Sequence, residues 1–309
     1  MSRRDIAFFS AVLLAMGAGW GLSTPLSKIA VSTGYGPFGL IFWQLMLGIV
    51  LMGGACVLRG TPLPLGRAAI RAYVAIALIG TVFPNTLSYS AAVHLPSGIM
   101  SLLLSIIPMF GFAIALALGN DTFARRRFVG LVFGLVGVLI LISPTVDLGL
   151  PVPLGWAAVY LVVALFYAFE GNYVARWGVA GLDPFQLMLG ASVVGVLCIA
   201  PPMILRGQFI APVWPLPVAQ AALIGSSVLH VVVYAAYVWL VGRAGAVFAV
   251  QVSYLVTGFG LFWAWLILDE RLGPGAWIAA CAMFAGIYLV QPRLRPRSAL
   301  APRAAIGDS

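Results

Sequence analysis

Apolar residues along this chain come in long unbroken blocks, not in the alternating pattern of half-buried strands or the narrow stripe of surface helices. A block of about 20 such residues is long enough to cross the hydrocarbon core of a bilayer as one helix. Ten blocks approach or exceed that length, over residues 6–31, 37–58, 71–94, 96–118, 127–143, 154–176, 184–205, 216–241, 245–268 and 274–291. Turn-forming sequences separate them, among them Gly34-Tyr35-Gly36-Pro37, Gly60-Thr61-Pro62-Leu63-Pro64, Pro151-Val152-Pro153 and Gly181-Leu182-Asp183-Pro184. Between the third and fourth blocks, His94-Leu95-Pro96-Ser97-Gly98 leaves almost no loop, which predicts a tight hairpin. The first block follows Ser2-Arg3-Arg4, as a secretion signal would. Signal cores run about 7–15 residues, whereas this block carries Trp20 and Lys28 far along it. It is predicted to be a true span.

Composition turns ten possible spans into a membrane protein. Of 309 residues, 62% are hydrophobic and only 8% charged, against about 25% charged in soluble domains. The mean hydropathy is +1.08. Such a chain could not cover a water-facing surface, which excludes a cytosolic enzyme, a disordered regulator and a nucleic-acid binder. The net charge of +9 does not revive nucleic acid as a partner, because the basic residues lie between the spans. Their distribution instead sets an orientation. With the N-terminus inside, 14 of the 17 Lys and Arg fall on the cytoplasmic side, leaving Lys28, Arg206 and Arg271 outside. Both termini are then expected in the cytoplasm, which requires an even number of spans. The tail 293–309 is rich in Arg, Pro and Ala and is expected to be disordered.

Ten spans divide into two halves of five, 1–145 and 146–292, and the halves resemble each other. Pro37-Phe38, Leu40 and Gly48 match Pro184-Phe185, Leu187 and Gly195; Tyr89 and Ser105 match Tyr237 and Ser253; Asp121 and Gly137 match Glu270 and Gly286. The offset drifts only from 147 to 149 residues over the whole half. Five spans per half is odd, so the second half enters the membrane from the opposite side. The predicted fold is an all-α membrane protein, ten transmembrane helices forming two inverted five-helix repeats around a central cavity. Rocking one bundle against the other would open that cavity to each side in turn, the logic of many secondary transporters.

Several residues sharpen this. A Trp20-Gly21 pair followed by Lys28 lies in the first span, and a tyrosine followed by small residues precedes the hairpin between spans three and four. Leu118-Gly119-Asn120-Asp121 follows span four and Leu268-Asp269-Glu270 follows span nine. With the five-helix halves, this layout resembles the EamA type of the drug/metabolite transporter superfamily over about residues 6–291. The family's Leu-Gly-Glu pattern is altered in the first copy. The resemblance implies a cavity lined by spans one, three, four, six, eight and nine, with spans five and ten at the periphery. It also implies transport, often export, of small metabolites, and it names no substrate.

Ionisable groups at membrane depth are costly and mark candidate sites. Of eight acids, only Glu170 lies inside a span, nearer its cytoplasmic end. Tyr167, Glu170 and Tyr173 recur every third residue and share a helix face. Glu170 is a candidate to bind a cationic group or carry a coupling proton; the alternative is a structural pair with Arg176 or another basic residue. His230 and Tyr234 are one turn apart on span eight, as are Asn85 and Tyr89 on span three, just after Pro84. Pro84 cannot donate to the preceding turn, which frees a carbonyl to line a cavity. Trp20 lies mid-span and Gln251 in span nine; both are further candidates for the cavity wall. Lys28 either snorkels to the headgroups, contacts an anionic substrate or serves as a structural cap. Gly130, Gly134 and Gly137 line one side of span five, for packing within the bundle or against a second copy.

Other chemistry is not signalled. Cys56, Cys198 and Cys281 are dispersed, and with two separated histidines they form neither a disulfide framework nor a metal site. There is no phosphate-cradling Gly-x-x-x-x-Gly-Lys-[Ser/Thr] sequence and no His-Glu-x-x-His, so neither cofactor nor ATP-driven transport is expected. The sequence predicts a secondary transporter of the inner membrane, an exporter of small metabolites or amphipathic compounds, driven by a proton gradient or by the substrate's own. Its partners are a small molecule and lipid, as a monomer or homodimer. The competing readings are a membrane-embedded enzyme and a non-transporting scramblase or assembly subunit.

Overall fold

The computed structural model describes residues 3–143, 146–244 and 251–290. The regular structure among these residues is helical: α1 (Arg3–Val31), α2 (Pro37–Leu58), α3 (Arg67–Ala75), a π-helical segment (Ile76–Val82), α4 (Phe83–Ala92), α5 (Ser97–Leu104), α6 (Ile107–Ala117), α7 (Arg125–Ile142), α8 (Leu154–Trp177), α9 (Pro184–Leu205), α10 (Val218–Ala244), α11 (Val252–Leu268) and α12 (Pro274–Val290). Among the described residues, seven helical stretches are long and apolar enough to cross a bilayer: Ala7–Val31, Pro37–Leu58, Arg67–Ala92, Ser97–Ala117, Leu154–Trp177, Pro184–Leu205 and Val218–Tyr237. Of the other three blocks, α7 opens on three arginines, and α11 and α12 are shorter apolar helices. The start of the 245–268 block and the tail 293–309 lie outside the described residues. The chain is a multi-pass membrane protein.

Prolines explain where the third and fourth stretches lose regularity. Pro84 has no N–H for the Gly80 carbonyl, so an unbroken α ladder cannot run through this turn, and the chain widens into the π segment just before it. Pro108 likewise cannot serve the Leu104 carbonyl, and α5 ends in a tight turn, the Ser105 N–H donating to the Leu102 carbonyl at 3.0 Å. α5 lies innermost, with Ile99, Met100, Leu102 and Leu103 fully buried.

α7 and α12 pack backbone to backbone. A Cβ built on Gly130 would lie 2.8 Å from the Gly286 carbonyl oxygen, and one on Gly286 would lie 2.9 Å from that of Gly130. The glycine face of α7 is thus covered by the chain's own α12. Its opposite face exposes Phe128, Val132, Phe133, Leu135 and Leu139, a surface suited to lipid, not water. Gly130→Val is expected to lower stability in detergent by about 1–3 kcal/mol, because neither backbone can yield to the added methyls. Thermal unfolding of the purified variant checks this.

α2 and α9 form the second close pair. Arg59, just past the end of α2, sits 4.6 Å from the Phe185 ring centroid at the start of α9. It also pairs at 2.8 Å with Asp183, the residue that caps α9. At the far end the roles exchange: Arg206, just past α9, lies 5.7 Å from the ring of Phe38 at the start of α2. The two helices therefore run antiparallel. Around them α1 packs on α10 and α11, and α8 packs on α4 and α6.

Candidate functional site

A cavity of about 330 Å³ lies among these helices. Its wall is built from α1, α2, the π segment, α4, α5, α8, α9 and α10. α7 and α12 do not reach it. The resemblance placed span nine in the wall and left out spans two and seven. Here α11 lies behind α1 and α5, where Gly17 and Gly21 admit Leu255 and Gly260, and Gly260 faces Ser101. The vacated place is filled by Gln44, Leu45, Gly48 and Met52 of α2 and by Met188, Ala191 and Ser192 of α9.

α8 brings Glu170 and, one turn earlier, Tyr167 to the cavity. The Glu170 carboxylate lies against Gly80 of the π segment, in the space a side chain there would occupy. Three side-chain ion pairs form among the described residues, Arg59–Asp183, Arg127–Asp121 and Arg271–Asp269. None uses Glu170, and Arg176 does not pair with it. Among the described residues, Glu170 is the only carboxylate in the wall, and none of those lining it is Lys or Arg.

A chain of hydrogen bonds runs along one side. The Tyr167 hydroxyl donates to Asn85 Oδ1 at 3.0 Å. Asn85 Nδ2 donates to Gln44 Oε1 at 3.3 Å, and the Tyr89 hydroxyl donates to the same oxygen at 3.0 Å. Asn85 and Tyr89 face the cavity together because they are one turn apart on α4. His230 and Tyr234 do the same on α10, their rings nearly parallel with centroids 6.4 Å apart.

Six of the eight predicted residues, Asn85, Tyr89, Tyr167, Glu170, His230 and Tyr234, thus meet at one cavity. Two stand elsewhere. Trp20 packs against Tyr237 at 5.6 Å between ring centroids, outside the wall. Gln251 is exposed at the N-terminal end of α11, just before Val252. Tyr173 rests on Trp177. Lys28 donates to the Val93 carbonyl at 3.1 Å and so anchors the 93–96 hairpin. Gln44 was not anticipated; a lone amide inside an otherwise apolar block was its only signal. No cluster of His, Cys, Asp and Glu able to hold a metal occurs among the described residues.

The arrangement is a chamber of small-molecule size lined by one carboxylate without an ion-pair partner among the described residues and by a ring of neutral polar groups. The chain is 24% identical over 295 residues to a protein of Escherichia coli K12 named as an uncharacterized inner membrane transporter, YedA, covering 93% of this chain and 92% of that one. The YedA of Escherichia coli O157:H7 matches to the same extent. A solved crystal structure superposes with a TM-score of 0.55 at 17% identity, over 93% of this chain and 96% of the other, a likeness of fold alone. The model of the EamA-like transporter family matches twice, at residues 8–143 and 154–291, so the chain belongs to that family and is a membrane transporter.

Proposed function

We propose that this transporter is a secondary exporter of small amphipathic compounds bearing a cationic group, working by alternating access with Glu170 as the site of substrate charge recognition or proton exchange. The observation that carries the reading is the Glu170 carboxylate, without an ion-pair partner and the sole acid in the cavity wall among the described residues. An isolated acid kept at membrane depth without a partner is costly, and the cost is understandable where a cation or a proton visits it.

The architecture we attach to this is ten spans in two inverted halves, 1–145 and 146–292, in the inner membrane with both termini cytoplasmic. Support comes from the exchange of roles between α2 and α9. Arg59 and Arg206, and Phe38 and Phe185, are separated by the same interval, and each arginine covers the other half's phenylalanine. The helix pairings exchange in the same way: α1 on α11 and α10 answers α6 and α4 on α8. A two-fold axis in the membrane plane would produce both, and it is the symmetry on which rocking-bundle transport rests.

The test is flux into proteoliposomes of a panel of amines, amino acids, nucleosides and hydrophobic cations, with and without a proton gradient, and with lipid flipping as control. Concentrative or exchange flux of a cationic amphiphile is expected, accelerated by an opposing proton gradient. Glu170→Gln is expected to remove that acceleration while the protein elutes as the wild type does. No flux of any panel member, or a Glu170→Gln protein with wild-type rate and pH response, would overturn the proposal.

A further inference from the structure

The carboxylate is one end of the chamber's polarity, and the hydrogen-bond chain on α2, α4 and α8 fixes the other. Among the described residues the Tyr89 hydroxyl has a single polar partner, the Gln44 side chain, and Tyr89 is buried. A buried O–H needs an acceptor for its proton, whereas unused lone pairs are cheaper to leave. Tyr89 therefore donates, and the Gln44 atom that receives it is the oxygen. Tyr167 has the same relation to Asn85 Oδ1, which turns Asn85 Nδ2 toward that same Gln44 oxygen. Two donors thus converge on Gln44 Oε1 and define which way the amide points.

The consequence lies on the other side of the amide. Gln44 Nε2 makes no hydrogen bond among the described residues, and Gln44 lines the cavity. We infer that Gln44 is a specificity-determining residue whose clamped amide presents N–H donors to the chamber, so that the preferred solute carries a hydrogen-bond acceptor such as a carbonyl in addition to its cationic group. This deepens the proposal above and rests on it for the cation. Glu170 accepts at one place and Gln44 donates at another, with Tyr167, one turn from Glu170, linking the two through Asn85. A solute with an ammonium and a separate carbonyl satisfies both; one with the ammonium alone leaves the Gln44 donors without a partner.

Calorimetric binding to the detergent-purified protein separates these cases with two probes of similar length, N-acetylputrescine (ammonium plus amide carbonyl) and heptylamine (ammonium only). Gln44→Leu is expected to weaken N-acetylputrescine about tenfold, the worth of one hydrogen bond, and to change heptylamine by no more than about twofold on the same scale. Gln44→Glu keeps an acceptor for Tyr89 and Asn85 but replaces the outward donor with a carboxylate. It is expected to weaken N-acetylputrescine and to strengthen putrescine, a diamine. Heptylamine binding that depends on Glu170, together with equal effects of Gln44→Leu on both probes, would overturn this inference and leave the cation reading standing. Failure of the wild type to bind either probe would overturn both.

Discussion

Gly80→Ala is expected to leave the protein folded and to cut transport by at least about tenfold, a loss equivalent to roughly 1.4 kcal/mol at the site. The reason is local. The three heavy atoms nearest a Cβ at position 80 all belong to the Glu170 carboxyl group, the far end of a flexible side chain. The carboxyl must swing away, and the backbone need not. Gly80 is not among the residues with positive φ, so alanine fits the existing conformation. In a helical segment that exchange favours the fold by about 0.5–1 kcal/mol. Activity and stability are therefore expected to move in opposite directions, a signature that a damaged fold cannot give. Gly80→Val should push the carboxyl further and lose more. Thermal unfolding in detergent paired with proteoliposome flux reads both quantities. Wild-type flux in Gly80→Ala would mean that the position of the Glu170 carboxyl is immaterial to transport.

The contrast between Gly80 and Glu170 also marks what a reader of the sequence could and could not see. Glu170 is legible because an acid inside an apolar block has few structural explanations. Asn85 with Tyr89, and His230 with Tyr234, are legible because one-turn spacing puts each pair on one face. Pro84 announces an irregular turn, though not that the turn is π-helical or that Gly80 within it makes room for the acid. Gln44 is neutral and solitary, and its importance lies in contacts 41 and 45 residues away in the chain. The wall's use of α2 and α9 in place of span nine depends on how closely the helices approach: Gly48 lies against Ser192, and Gly195 against Leu45. Glycines at such positions read equally well as packing devices anywhere in the bundle. Gln251 is set apart by its exposure just ahead of α11, which an apolar block read by composition alone does not reveal.

Glu270 carries the second large expected effect. It follows Asp269, whose left-handed backbone (φ of 49°) turns the chain at the end of α11. From there its carboxylate accepts two N–H groups at the start of α5, from Ser97 at 2.7 Å and from Gly98 at 2.8 Å. These are among the four N–H groups that a helix cannot satisfy internally. Ser97 is fully buried in the intact protein. Lys28 holds the same hairpin from α1 through the Val93 carbonyl, and Thr24 reaches Ser101 one turn further into α5 at 2.8 Å. Glu270→Ala is expected to destabilise the protein by on the order of 3 kcal/mol or more, since two hydrogen bonds to a charged group are lost and two buried donors are stranded. Glu270→Gln retains one acceptor and should fall between. Thermal unfolding measures the loss, and hydrogen exchange across Ser97–Leu104 should rise selectively over the rest of the chain. Unchanged melting together with unchanged exchange in Glu270→Ala would show that the clamp contributes nothing. The clamp joins α11, from the second half, to α5 and α1, from the first. If the clamp forms in one end state of the proposed cycle and not in the other, its removal also changes how the protein divides between them, by about a factor of ten for each 1.4 kcal/mol it supplies to one state alone.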